Sequence, residues 1–208
     1  MTTAQMIRLS EGNSKLRNTL IFNTPAQLTC IMMSTLCKKE CYAMKAQIQY
    51  PSARKRRLLH FEASQKDNFV DEMNKEIESK RKRRTRSKER KFVYFRIHES
   101  GDFYSQDYLD KWVEIIKQNS DFKFLIYTKS WHLNWEKAKE LDNLSLRFSN
   151  DVTTKPFHLK KALEKGLPIA TIRKEGERTQ GINCQPNWKC DECRLCWDTK
   201  ANVSFQLH

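Results

Sequence analysis

Several things are scarce in this 208-residue chain. It has five glycines, no glycine/serine linker and no internal repeat, so nothing divides it, and residues 1–208 read as one domain long enough to bury a real core. No run of eighteen apolar residues occurs, which argues against a membrane-spanning helix and a membrane partner. The first residues, MTTAQMIRLSEGNSK, lack the apolar segment and small-residue cleavage site of a secretory signal. A cytoplasmic location is therefore expected.

Acidic residues are also in short supply. Against 39 lysines and arginines stand 25 aspartates and glutamates, a formal charge of +14, which makes polyanions the first partners to consider. The excess is uneven, because Lys80, Arg81, Lys82, Arg83, Arg84, Arg86, Lys88, Arg90 and Lys91 fall in twelve residues with one acid between them. Residues 79–91 read either as a mobile loop or as the exposed end of a helix. Such a tract can be merely solvated, but it would also hold a phosphate backbone with strong salt dependence. Nucleic acid is the expected partner and a host protein the alternative.

From residue 91 the pattern alternates strand and helix, the mark of parallel α/β construction. Strands are predicted at 19–23, 92–97, 122–128, 144–149 and 167–173, and helices at 34–49, from 52, from 68, and at 105–118, 131–141 and 156–165. Gly166 fits the C-cap of the last helix. The predicted fold is α/β, with parallel strand–helix repeats in a partial (β/α) barrel or an open sheet and a cysteine-rich C-terminal segment over 182–197.

Seven cysteines form two groups. An odd number of clustered thiols in a reducing compartment is a poor disulfide framework. Cys30, Cys37 and Cys41 have the spacing C-x6-C-x3-C, and on a continuous helix Cys37 and Cys41 would share a face. Three thiolates there could grip one metal centre and leave a position open. Cys184, Cys190, Cys193 and Cys196 follow C-x5-C-x2-C-x2-C, a run that winds the chain around a compact object as ferredoxin cluster motifs do. Iron–sulfur is favoured over zinc, which more often takes two separate C-x2-C knuckles. Scattered thiols would pack as small apolar residues; two tight groups flanked by charges fit that poorly.

Ligands of parallel α/β folds sit at the carboxyl ends of the strands. Those ends carry Cys30, then His98 to Asp102, Thr128 to Ser130, Ser149 to Asp151, and Arg173 to Glu175. Gly101 would let backbone approach a ligand, and Asp102 would take an ammonium or ribose hydroxyl or simply cap the next helix. Lys129 and Arg173 would hold a carboxylate or phosphate. Asn150 ends the fourth strand at the same edge. His98 reads as a packed residue rather than a ligand, and Trp112, Trp131 and Trp135 as core.

The blocks GNSKL (12–16), NTLIFNTPAQLTC (18–30), CYAMK (41–45), RIHESGDFYSQDYLDKWVEI (96–115), FLIYTKSW (124–131) and C-x2-C-x2-CW (190–197) together resemble the phage-encoded gene product 88 family. Its layout is similar to that of radical S-adenosylmethionine (SAM) enzymes. That resemblance implies a [4Fe–4S] cluster on Cys30, Cys37 and Cys41 whose open iron binds SAM, with Ser100, Gly101 and Asp102 at the SAM amino group. It further implies an auxiliary cluster on Cys184, Cys190, Cys193 and Cys196, and modification of a nucleic acid or nucleotide in the host cytoplasm. Two departures stand out: the usual C-x3-C-x2-C spacing is stretched, and Tyr42 follows the last cysteine instead of preceding it. The rival reading is a non-catalytic protein, stapled by zinc or a cluster, that binds DNA, RNA or a host protein.

Overall fold

A computed structural model describes residues 2–85, 92–174, 176–177, 179, 181–185 and 188–206, with the side chains of 82–85 outside that description. The elements in chain order are α1 (Thr3–Met6), β1 (Thr19–Phe22), α2 (Thr35–Lys39), α3 (Tyr42–Gln49), α4 (Pro51–Ser64) and α5 (Phe69–Thr85). Then come β2 (Tyr94–Ile97), α6 (Gln106–Gln118), β3 (Lys123–Thr128), α7 (Glu136–Lys139), β4 (Leu144–Asn150), α8 (Pro156–Glu164) and β5 (Ile169–Arg173). Last are β6 (Ile182–Asn183), α9 (Cys190–Cys193), α10 (Leu195–Asp198) and β7 (Val203–Gln206).

The strands form one sheet in the order β1-β2-β3-β4-β5-β7-β6, and every pairing is parallel. The sheet is open, with β1 and β6 at its edges, so of the two forms expected the open sheet is the one observed. Ser10 bridges antiparallel to Ile21 on the free side of β1. Among the described residues no helix is long and apolar enough to cross a membrane.

Alternation sorts the strands into two faces. Leu20, Phe22, Phe95, Ile97, Phe124, Ile126, Leu144, Leu146 and Phe148 point to the helices, where Phe69, Met73 and Ile77 of α5 and Tyr108 and Trp112 of α6 complete the main core. Trp112 meets Phe22, Phe69 and Phe95 edge-on. The opposite face carries Tyr94, Arg96, Tyr127, Ser145 and Arg147, and the chain after β6 folds over it. There Trp197 meets Tyr94 and donates its indole N–H to Phe95 O at 3.2 Å, while Phe205 meets Tyr127.

All five predicted strands are present. Gly166 sits at φ +68 after α8, with Gly166 N–H to Leu163 O at 2.8 Å and Leu167 N–H to Ala162 O at 3.1 Å, the paired bonds of a Schellman C-cap. Two helices differ from expectation. The helix expected over 34–49 is two: α2 stops at Glu40, and Cys41, in extended conformation, restarts the chain as the N-cap of α3, its Sγ accepting from Met44 N–H at 3.4 Å. Cys37 and Cys41 thus share no continuous helical face. Over 131–141 only Glu136–Lys139 is helical, because Trp135 turns its indole N–H back to Ser130 O and the Asn134 N–H is held by the Gln106 side-chain Oε1. Trp112 and Trp135 are fully buried; Trp131 is half-buried.

His98 is a packed residue, as expected. Its Nε2 pairs with the Tyr108 hydroxyl at 2.8 Å and its ring meets the edge of Phe103. Burial, with Arg96 adding, holds its pKa down to about 3. His60, stacked on Phe22, donates from Nδ1 to Asn23 O at 2.9 Å and accepts the Arg8 N–H at Nε2; burial is the main force keeping its pKa at about 4. Both histidines are therefore neutral in the fold, whereas an unfolded chain takes up protons near pH 6.5. The unfolded state binds more protons as pH falls below that value, so stability declines with it. Lowering the pH from 7.5 to 5.5 is expected to cost about 3 kcal/mol in all, measured by urea unfolding at each pH, with the drop halved in the His60→Gln variant.

Candidate functional site

The carboxyl ends of β1 to β4 are joined by a continuous seam of hydrogen bonds. Asn23 Oδ1, just past β1, accepts the N–H groups of Glu99 and Ser100 at 2.7 and 2.9 Å. Ser100 Oγ donates to Thr24 O at 2.9 Å, and Thr24 N–H returns to Ser100 O at 3.0 Å. Asp102 accepts from Thr128 Oγ1 at 2.6 Å, Lys129 N–H at 2.8 Å and Phe103 N–H at 2.8 Å. Lys129 Nζ then donates to Asp151 Oδ2 at 2.7 Å and Ser149 O at 2.9 Å. Asp151 closes the seam onto the cysteine loop, accepting from Ser34 Oγ at 2.5 Å.

Each end of the seam has a local cause. Ser34 N-caps α2 through Cys37 N–H, and Thr153 Oγ1, itself bound to Asp151, accepts Leu36 N–H at 2.8 Å. The loop bearing Cys30 and Cys37 is thereby fastened across to β4. Gly101 has φ +86, and an added Cβ would lie 1.9 Å from Thr24 Oγ1 and 2.7 Å from Thr29 Oγ1. Its missing side chain lets two strand ends close on each other, a different use from the ligand approach expected.

Charge follows from this packing. Burial pushes Asp102 above the usual carboxylate range even though three donors oppose it. Burial alone would raise Asp151 too, but Lys129, Ser34 and Thr153 together outweigh it and hold its pKa at about 2. Cys30 is pushed up to about 12 by burial first and by Asp102 next, and Cys37 is raised by burial against the pull of Lys129. Cys30, Cys37 and Cys41 act on one another electrostatically and are all half-buried. The structure thus gathers the first cysteine group at the strand ends despite the broken helix.

The second group occupies the other face of the sheet. α9 is a single turn, Arg194 turns the chain at φ +52, and α10 follows, so that Cys190, Cys193 and Cys196 curl around one point. Together with Cys184 they line a cavity of about 30 Å³, shared with Trp188, Trp197 and Phe205. Cys184, its thiol raised to about 11 by burial first and then by Cys196, follows β6 directly, with its N–H on Ser204 O. The first group's charged neighbours are Asp102, Asp151 and Lys129; the second group's are Lys15 and Arg96. Among the described residues no three or more His, Cys, Asp or Glu side chains converge closely enough to hold a single ion. An iron–sulfur cluster is larger than an ion and keeps its thiolates farther apart.

The fit of these sites to such a group can be judged from the donors beside them. Tyr127 Oη is a buried donor beside the Cys196 thiol, Arg173 Nε is buried and unpartnered, and Asp191 Oδ1 is a buried acceptor without a partner. Donors in want of an acceptor around four thiols are what an anionic thiolate centre would satisfy. The donors beside the second group therefore suit such a centre.

The remaining expected residues divide. Ser100, Asp102 and Lys129 are buried and spend their polar atoms on the seam. Asn150 is half-buried, in register with Thr171. Arg173 donates to Glu177 O and Cys184 O, beside the second cysteine group. Lys80 is buried between Glu11 and Glu76, and Arg81 pairs with Glu78 and Asp121 over the Phe122 ring, so both cations are engaged within the fold. The side chains of Lys82, Arg83 and Arg84, and all of Arg86, Lys88, Arg90 and Lys91, lie outside the described residues. Sequence reasoning missed Ser34 and Arg147, and placed Asp151 at the strand ends without a role. The signal for Arg147 was available, since Ser145 and Arg147 alternate with leucine and phenylalanine and so mark a polar second face.

Comparison with known proteins places these features in a lineage. The chain is 28% identical over 201 residues to the Gene 88 protein of Mycobacterium phage L5, covering 85% of this chain and 81% of that one. It is 33% identical over 130 residues to the Gene 88 protein of Mycobacterium phage D29, covering 53% of each. No solved structure matches. The family model for gene product 88 matches residues 3–199, and the chain belongs to that phage family.

Proposed function

We propose that this protein carries two iron–sulfur centres. One is held by Cys30, Cys37 and Cys41 and binds SAM at the carboxyl edge of the sheet; the other is held by Cys184, Cys190, Cys193 and Cys196. The observation that carries the reading is the gathering of three mutually coupled thiols over the edge where parallel sheets bind ligands. A cluster held by Cys30, Cys37 and Cys41 would supply, once reduced, the electron for reductive cleavage of SAM.

The chain's own residues act as follows. The buried thiols of Cys30 and Cys37 keep their protons until a positive centre displaces them. Ser34, Asp151 and Lys129 anchor the loop that presents those thiols. Asp102 and Ser100 brace the neighbouring strand ends, as positioning residues rather than ligand contacts. The net charge of +14 supports a nucleic acid or nucleotide as the molecule modified.

The test is anaerobic purification followed by reduction in the presence of SAM. Cleavage of SAM that is lost when Cys30, Cys37 and Cys41 are replaced by serine supports the proposal. A colourless zinc protein that binds DNA tightly and leaves SAM intact would support the metal-stapled binder instead. Because the two cysteine groups have different neighbours, Cys184→Ser is expected to remove about half the iron while SAM cleavage persists. Loss of the N-terminal centre in that variant would mean that both groups share one cluster.

A further inference from the structure

The face of the sheet beneath the second cysteine group contains a charge that the protein leaves without a counter-ion. Arg147, in the middle of β4, has no measurable exposure to solvent. Its Nε donates to Ala201 O at 2.8 Å, and Nη1 donates to Cys196 O at 2.9 Å and Ser145 Oγ at 2.8 Å. Nη2 donates to Thr199 O. Every acceptor is neutral. Arg96, two strands away on the same face, lies over the Tyr127 ring at 4.2 Å and donates from Nε to His98 O at 3.1 Å. Arg147 flanks the same ring at 6.0 Å. Among the described residues no carboxylate forms an ion pair with either arginine.

Carbonyl oxygens satisfy the geometry of a guanidinium but do not cancel its charge, and an uncompensated buried ion is strongly unfavourable. Asp198 in the covering segment pairs with Lys123 and Asp191 acts on Arg194, so the groups left to balance Arg147 are the thiols lining the adjacent cavity, to which it is joined through the backbone of Cys196. The buried Tyr127 hydroxyl lies beside the Cys196 thiol and is a further donor on this face. Four thiolates around a [4Fe–4S] core of charge two plus leave a net charge of about two minus. The two guanidiniums of the sheet face match that charge, while Lys15 and Arg194, also beside the thiols, are not enclosed by the sheet.

Resting on the reading that the second group holds a metal centre, we propose that Arg147 and Arg96 are its built-in counter-cations. The C-terminal centre would then be an all-thiolate dianion, neutralised by arginines on the sheet face beneath it, with the Tyr127 hydroxyl as a hydrogen-bond donor to its sulfur. Arg147 is a positioning residue for this centre rather than for the SAM-binding one. Packing of α9 and α10 on the sheet and loading of the metal become one event, since each supplies the charge the other needs.

The experiment is a four-protein cycle read by urea unfolding and by metal per chain. It compares the anaerobically purified protein, Arg147→Met, Cys190→Ser/Cys193→Ser, and all three substitutions combined. With the cysteines intact, Arg147→Met is expected to lower the urea midpoint and to lose about half the metal. In the cysteine-replaced background the same substitution is expected to raise the midpoint, because it then removes a lone buried charge. An equal drop in both backgrounds would show that Arg147 serves only its carbonyl hydrogen bonds, and would overturn the proposal. If Arg147→Met does not fold, Arg147→Lys decides: the charge is kept and the fork lost, so retained metal supports the counter-cation role and lost metal overturns it. A parent protein that binds no metal at all would instead refute the reading beneath it.

Discussion

Gly101→Ala is expected to cost about 4–5 kcal/mol of stability, which is a large part of what a domain of this size possesses. Two effects add. A non-glycine residue at φ +86 is strained by about 1–2 kcal/mol. The added methyl would also stand 1.9 Å from Thr24 Oγ1 and 2.9 Å from Thr24 O, where the second contact is backbone and cannot rotate away. Relief requires the β1 and β2 loops to separate, which breaks the paired bonds between Thr24 and Ser100 and loosens the approach to Cys30. Gly166→Ala is the control. Gly166 also has positive φ, but nothing lies within 4 Å of its Cβ position, so about 1 kcal/mol is expected. Chemical denaturation of both variants measures the difference; equal losses would mean that the Thr24 contact carries no energy.

Lys129→Met is expected to cost about 3–5 kcal/mol, because the Asp151 side chain, wholly buried, would be left with no cation. Ser34 and Thr153 hydrogen bonds would remain, but they do not neutralise the carboxylate. The pH dependence has a definite sign. In the parent, Asp151 has a folded pKa of about 2, below its unfolded value, so its contribution is present above pH 4 and fades as pH falls toward 2. Without Lys129 the carboxyl titrates upward, and the variant should recover against the parent as pH falls from 7 to 4. Adding Asp151→Asn should restore a good part of the loss at pH 7. Urea midpoints across this pH range would settle it, and a double variant no better than Lys129→Met would contradict the ion-pair account.

These effects bear on how much of the molecule was legible in its residues. The five strands and their polar ends were visible, because apolar runs of similar length alternate with amphipathic helices and a parallel sheet puts its loops on one edge. What the alternation could not supply is which loop holds which. Ser34 and Asp151, or Asn23 and Glu99, are far apart in the chain, and their pairing exists only once β1 to β4 lie side by side. For the same reason Asp102 and Lys129 looked free to meet a ligand, when each already has its partners across the seam. The break at Cys41 was hidden because Tyr42 to Gln49 continues an acceptable helix pattern; it takes the thiol at the N-cap to show the restart. β7 carried a faint alternation in Val203 and Phe205, whereas β6, at two residues, is too short for any periodicity to mark.

The two cysteine groups were legible as groups, and the fold places them on different sides of one scaffold. The first stands at the carboxyl ends of the strands, fastened by hydrogen bonds from Ser34 to Asp151 and from Leu36 to Thr153. The second lies against the opposite face, wrapped by Trp188, Trp197 and Phe205. This asymmetry matches a division between a centre that meets a ligand and a centre that closes the fold.

The most direct measurement is iron and acid-labile sulfide in protein purified without oxygen. About eight of each per chain, falling to about four when either cysteine group is replaced, is the expected result. A folded, monodisperse protein free of iron and zinc, with all seven thiols reactive, would contradict it.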